Sequence, residues 1–293
     1  MTRDLRVGWA TGFTAYLVWG IFPIYFVLFA RSGALEIVAH RVLWSLVFCL
    51  LLLAVTRTFH EFGAIWRDLR IAGLMALAGV LITANWSTYV AGVLAGRTIE
   101  AALGYFINPL AVVGFGVLVF REKLRPLQKV ALIFGAAAVV VMVVAYGEVP
   151  WIALILTLTF GSYSLVKKLV GGKVRPIPGL AFETATTAPL ALAFLVWVAW
   201  AGQTTVTPDG YGLLVASTGI VTAVPLLLFA VAARHLPMVA LGMIQYLSPI
   251  WQFLIGWLVF REPMPPSRWA GFVLVWVAIV IFAVDVLRQG RRR

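Results

Sequence analysis

Apolar runs close to twenty residues long recur along the whole of this chain, and they limit its fold more than any motif does. Residues 71–94, 130–146 and 269–286 are three of them. At about 1.5 Å per residue, a helix of roughly 20 residues crosses the 30 Å hydrocarbon core of a bilayer. The runs are continuous rather than alternating, so they do not read as strands. Within lipid, only helices satisfy their own backbone groups segment by segment. Composition agrees: 62% of the 293 residues are hydrophobic and 12% are charged. A soluble domain is nearer half apolar and a quarter charged. With a mean hydropathy of +1.00, this chain cannot cover a water-facing surface.

The pattern predicts an all-α membrane protein of ten transmembrane helices, near 8–30, 35–56, 71–94, 99–120, 128–146, 150–168, 179–201, 210–233, 238–260 and 269–287. Arg3 and Arg6 ahead of an apolar stretch imitate a signal peptide. The stretch at 7–30 is longer than a usual signal core and has no small-x-small cleavage site near its end, so it reads as a retained first helix. The longest polar connection, 57–70, is expected to hold a short interfacial helix. The single cysteine, Cys49, lies inside an apolar run. It supports neither a disulfide framework nor a cysteine metal cluster.

A net charge of +12 raises the question of nucleic acid. The basic residues form short clusters between apolar spans, where they orient helices and meet anionic lipid headgroups. Membrane lipids are therefore the expected partner, and nucleic acid is not. With the N-terminus inside, eighteen of the 23 Lys and Arg residues fall on the cytoplasmic side and four outside, while Arg41 lies within a span. That bias predicts cytoplasmic N- and C-termini.

An internal repeat carries the argument further. Residues 109–122 read PLAVVGFGVLVFRE and residues 249–262 read PIWQFLIGWLVFRE, with seven of fourteen positions identical at an offset of 140. Chance gives about one match. Five spans per half is an odd number, so the second half enters the membrane with opposite orientation. Two inverted five-helix repeats follow, 1–147 and 148–293. Inverted repeats are a common transporter architecture with the solute site between the halves.

Three stretches carry a family resemblance: LEIVAHRVLWSLVF (35–48), LGYFINPLAVVGFGVLVFREKLRPLQ (103–128) and VAYGEVPWIALILTLTFGSY (144–163). With the two halves, the chain resembles the RarD branch of the EamA-type transporters, in the drug/metabolite transporter superfamily. The resemblance covers nearly the whole chain. It implies a ten-helix inner-membrane carrier, a permease linked by name to chloramphenicol sensitivity, in a superfamily that moves amino acids, nucleotide sugars, drugs and other metabolites.

Ionisable groups within spans come first among candidate functional residues, because each costs about 2.5–3.5 kcal/mol at the centre of an inserted helix. Glu36 and His40 are four apart on one helical face, with Arg41 adjacent. They read either as a gate or solute-carboxylate anchor near the outer mouth, or as an interfacial salt-bridge cluster. Glu183, one turn into the seventh span, is a candidate for proton coupling or a partner for Lys167 or Lys168. Glu100 is expected to pair with Arg97. Glu122 and Glu262, after matching spans, read as carboxylates that stabilise the N-termini of the helices they precede.

A second set is polar and aromatic. Asn85, Trp86 and Tyr89 sit mid-helix in the third span. Tyr105 and Asn108 precede Pro109, and Gln245, Tyr246 and Ser248 precede Pro249 at matching repeat positions. Amides orient solutes and aromatic faces stack on them, while proline opens polar backbone to a cavity. The alternative is polar glue between helices. Trp19, with Tyr16 and Tyr25, is either cavity wall or interfacial belt. The expected cavity has aromatic faces and little fixed charge, suited to neutral, zwitterionic or aromatic solutes.

No HExxH, GxSxG or Walker lysine loop occurs, so an enzyme is not expected, nor a cofactor or metal. The function expected is secondary transport of small organic metabolites or drugs by alternating access. The rivals are a polytopic membrane enzyme, for which Glu36-His40-Arg41 is the only candidate cluster, and a non-transporting structural component. Oligomeric state, monomer or homodimer, stays open.

Overall fold

The apolar runs fold as helices, and the polar joints between them are where the helices stop. The computed structural model describes residues 3–121, 126–146, 149–170, 173–207, 209–236 and 244–290. The first run is two helices, α1 (Arg3–Gly20) and α2 (Phe22–Val27), parted at Ile21. Pro23 stands in the first turn of α2, where a missing N–H breaks no helical hydrogen bond. Next come α3 (Ala34–Thr56), the short α4 (Phe59–Ile65) in the polar 57–70 connection, α5 (Leu69–Leu94), α6 (Thr98–Phe120) and α7 (Pro126–Tyr146). The second half of the sequence gives α8 (Trp151–Val170), α9 (Pro176–Trp200), α10 (Gly210–His235), α11 (Leu247–Leu254) and α12 (Pro266–Gly290). Residues Ile255–Val259 continue α11 as a π-helical turn.

Six helices among the described residues are long and apolar enough to cross a membrane, and three shorter apolar helices accompany them. The outer surface is apolar to match. Leu69, Val55 and Trp200 are each at least 80% exposed, as suits side chains that face lipid rather than water. Pro109, expected to open a break, lies inside an unbroken α6. Pro249 lies in the first turn of α11, just after the turn at Tyr246.

All of the most extensive helix packing joins an element before residue 147 to one after it: α3 with α9 and α10, α5 with α8 and α9, α1 with α10, α6 with α8, and α7 with α12. Glycines permit the closest of these approaches. A Cβ on Gly79 would overlap the carbonyl oxygen of Glu183, and one on Gly219 would overlap that of Trp44.

The Phe-Arg-Glu repeat has a shared backbone signature. Arg121 and Arg261 both end their helices in the left-handed region, at φ 54° and 53°. Glu122 lies outside the described residues. The Glu262 carboxylate accepts hydrogen bonds from the backbone N–H groups of Thr98 and Ile99, at 2.7 and 2.9 Å. It therefore caps α6, in the other half of the sequence, instead of the helix that follows it. The reason is reach: Gly256, on the π-helical turn, lets the start of α6 come within van der Waals range of that turn.

Candidate functional site: an aromatic cavity between the halves

Helices α1, α2, α3, α5, α6, α8, α10 and α11 surround one cavity. It leaves about 90 Å³ for the centres of water-sized molecules, against roughly 10–15 Å³ for a single water. Its walls are aromatic: Trp19, Phe22, Trp86, Tyr89, Tyr105 and Phe160, with Tyr16 beside Trp19. Tyr105 packs on Tyr89 at 5.8 Å between centroids and edge-on to Phe160 at 6.0 Å.

Of the residues singled out in the sequence, Trp19, Asn85, Trp86, Tyr89, Tyr105 and Gln245 line this cavity. Asn108 and Tyr246 are not among the lining residues. Asn108 is buried, with its Oδ1 near Gly161 of α8. Tyr246 packs into a separate apolar cluster with Phe253 and Phe272. Both precede a repeat proline, but one full turn along a helix decides which neighbour a side chain meets, and these two meet helices rather than the cavity.

Asn85 lines the cavity but has both amide hydrogens and one of the two lone pairs of its oxygen already engaged. Its Nδ2 donates to the carbonyl of Leu156 at 3.1 Å and to the Thr159 hydroxyl at 3.0 Å, while its Oδ1 accepts from the Tyr105 hydroxyl at 2.9 Å. It ties α5 to α8 and α6.

Arg41 is parted from Glu36 and His40, which corrects the reading of the three as a single charged cluster. The buried Glu36 carboxylate accepts from Thr205 N–H at 3.0 Å, Thr205 hydroxyl at 2.7 Å and Thr204 hydroxyl at 3.2 Å. Those donors belong to the loop between α9 and α10. Ser32 extends the network to Thr205 and Tyr211 at 2.5 Å each. Near it, Asp209 starts α10 and is held below the ordinary carboxylate pKa, chiefly by the Thr207 hydroxyl. His40 remains half-buried on the Glu36 face. Arg41, one residue on and about 100° around the helix, points elsewhere and lines the cavity. Its Nε donates to the Thr222 hydroxyl at 2.7 Å, and its guanidinium sits 4.2 Å from the centre of the Trp86 ring. The cavity thus contains a fixed positive charge, contrary to the expectation of little fixed charge.

Glu183 forms a buried pair away from the cavity. Lys167 Nζ lies 2.6 Å from its Oε1 and the Tyr163 hydroxyl donates to its Oε2 at 3.1 Å. The side chain of Lys168 lies outside the described residues. Glu100 meets Arg97 at 2.6 Å and also accepts from the N–H of Ile152 at 2.9 Å.

Comparison with known proteins decides the family. The model of the EamA-like transporter family matches residues 6–144 and, a second time, residues 149–284. The chain belongs to the EamA-like transporter family. It is 45% identical to Protein RarD of Streptomyces exfoliatus, over 99% of this chain and 92% of that protein. It is 35% identical to an uncharacterized transporter of Vibrio cholerae, over 98% and 95%. Protein RarD of Escherichia coli is 34% identical over 99% and 98%. One solved crystal structure superposes with a TM-score of 0.62 at 18% identity, covering 95% of this chain and 98% of that one, a likeness of fold alone. Family membership and the apolar helices together make this a multi-pass membrane protein.

In this EamA-like chain, sequence reasoning did not reach Thr222 or Gln252, and it placed Arg41 with Glu36 and His40 near the outer mouth rather than apart from them in the aromatic cavity. Signals existed for each. Thr218 and Thr222 stand four apart in the apolar run of α10, and Ser248 and Gln252 stand four apart in α11, so each pair shares one face. An arginine deep in an apolar helix needs an interior partner or cavity.

Proposed function

We propose that this protein is a secondary transporter of small organic solutes in the bacterial inner membrane. It exposes the aromatic cavity to each side in turn by alternating access between two inverted five-helix repeats, 1–147 and 148–293, whose helices interleave, with both termini cytoplasmic. One observation carries the reading: the cavity is walled by helices from both halves and holds polar groups among aromatic faces, as suits a solute site between repeats. The double family match supports the two-half organisation, as does the matched pairing of helices. Packing of α5 on α9 through Gly79 answers packing of α10 on α3 through Gly219, and the two glycines are 140 residues apart. Ten spans follow when α1 and α2 count as one and α4 lies at the interface. Glu36 and Ser32 tie the first repeat to the α9–α10 loop of the second at one end of the cavity-bearing bundle. Arg41 turns away from Glu36 and His40 toward the cavity, which favours the transporter reading over a membrane enzyme built on the three together.

The test is flux. Protein reconstituted into proteoliposomes should accumulate a radiolabelled organic solute by counterflow, with the same label excluded from protein-free vesicles. If a broad panel of amino acids, nucleosides, carboxylates and aromatic drugs shows no counterflow, the transporter reading fails. The orientation has its own check. Reporter fusions after Arg70 and Arg175 should both score cytoplasmic, and fusions near Gly33 and Asp209 external. Opposite scores for Arg70 and Arg175 would overturn the inverted ten-span arrangement.

A further inference from the structure

The cavity contains a cation for which the described residues supply no anion. Arg41 is 3% exposed. Its Nε is bound to Thr222, but its Nη1 has no hydrogen-bond partner. Four of the five described glutamates are buried, and their carboxylates are committed elsewhere. Glu36 holds the α9–α10 loop, Glu100 pairs with Arg97, Glu183 with Lys167, and Glu262 caps α6. The rings of Trp86, Phe26 and Phe22 lie 4.2, 5.2 and 5.7 Å from the guanidinium carbon. Ring faces attract a cation, but they give Nη1 no acceptor. A buried guanidinium left in this state is costly unless something arrives to complete it.

Two further buried polar atoms, on side chains that line the same cavity, have no partner among the described residues. The Tyr89 hydroxyl has no hydrogen-bond partner, and neither does Oε1 of Gln252, whose amide nitrogen donates to the Trp19 carbonyl and to Ser248. The unpartnered atoms are therefore one N–H group of a guanidinium cation, a hydroxyl and a carbonyl acceptor, each covered by the side chains around it. Around them stand flat apolar faces. A carboxylate that reaches them as the covering rings shift matches the first two, because its oxygens accept from Nη1 and from a hydroxyl together. One cation calls for one negative charge, so a monoanion fits better than a phosphate dianion.

We propose that the solute of this cavity is an organic monocarboxylate, its acid group paired with Arg41 and its apolar body laid against the aromatic walls. This rests on the transporter reading and names its substrate class.

The experiment reads binding without requiring flux. Purified protein in a neutral detergent is titrated with phenylacetate, indole-3-acetate and hexanoate, each against its uncharged amide, and followed by tryptophan fluorescence and unfolding temperature. The expected result is that at least one acid binds about tenfold or more tightly than its amide. That preference should disappear in Arg41→Gln and persist in part in Arg41→Lys. Equal binding of acid and amide in the wild-type protein overturns the proposal without any variant. So does an absence of acid binding across the panel, or a preference that survives in folded Arg41→Gln. If Arg41→Gln does not fold, Thr222→Val, which removes the hydrogen bond that positions the guanidinium, should shrink the acid-to-amide ratio; an unchanged ratio counts against the proposal. Carboxylate binding without counterflow would leave this inference standing and defeat the transporter reading. Counterflow of neutral amides with no preference for acids would do the reverse.

Discussion

Replacing Lys167 with methionine should destabilise the protein by about 3–5 kcal/mol, whereas replacing its partner Glu183 with glutamine should cost roughly 1 kcal/mol or less. The two sides of this ion pair differ in burial. Glu183 is 1% exposed, while the Lys167 side chain is 36% exposed. Without Lys167, the carboxylate is left deep among helices with the Tyr163 hydroxyl as its remaining donor, and a buried charge stripped of its counter-charge is the expensive case. Without the Glu183 charge, the lysine can turn its ammonium toward the polar edge of the helix. A glutamine at 183 still accepts the Tyr163 hydrogen bond. Reversible unfolding in mixed micelles, followed by far-UV circular dichroism, measures both variants. Equal losses would mean that the pair does not have the one-sided burial described. Because Tyr163 packs 5.9 Å from Phe160, a wall of the cavity, Lys167→Met should also weaken solute binding more than Glu183→Gln does.

The second large effect is steric. Gly219→Val and Gly79→Val should each cost about 1–3 kcal/mol or more, the range for overfilling a tight interior. In both cases the added Cβ meets a backbone carbonyl of a neighbouring helix, Trp44 in α3 or Glu183 in α9. A side-chain tip can swing aside, but a carbonyl can move only with its helix. Gly73 in α5 is the control. It is exposed, and nothing lies within 4 Å of a Cβ built there. Gly73→Ala should therefore be neutral or stabilising by up to about 1 kcal/mol through helix propensity. If Gly79→Val and Gly219→Val behaved like Gly73→Ala in the same unfolding assay, the close approach of α5 to α9 and of α10 to α3 would be wrong.

Much of this molecule is legible in one dimension, and the legible parts share a cause. Whether a run such as 34–56 can span lipid depends on its own length and apolarity. The polar 57–70 connection holds α4, and the Arg97–Glu100 pair forms across one helical turn. The repeat at offset 140 needs only the chain compared with itself, and it returns in the matched left-handed arginines at 121 and 261. The grouping of Asn85, Trp86, Tyr89 and Tyr105 on one cavity was also within reach, because polar and aromatic residues inside lipid-spanning helices have few other places to face.

What the sequence determined by itself was therefore local: which segments are helices, where they stop, and that two halves correspond. Only the tertiary structure decided the partners. Glu36 meets a loop 168 residues away, Arg41 meets a threonine 181 residues away, and Glu262 caps a helix 164 residues before it. Neighbouring Glu36 and Arg41 look like one charged cluster in a sequence, yet adjacent positions on a helix face directions about 100° apart. Asn85 and Arg41 exchange roles for the same reason. The amide that looks free has its donors taken up by α8 and its oxygen engaged by α6, and the cation that looks able to pair locally keeps a buried donor without a partner among the described residues. Hydrogen-bond capacity belongs to a residue type, but how much of it is already used depends on neighbours that only the packing of both halves brings near.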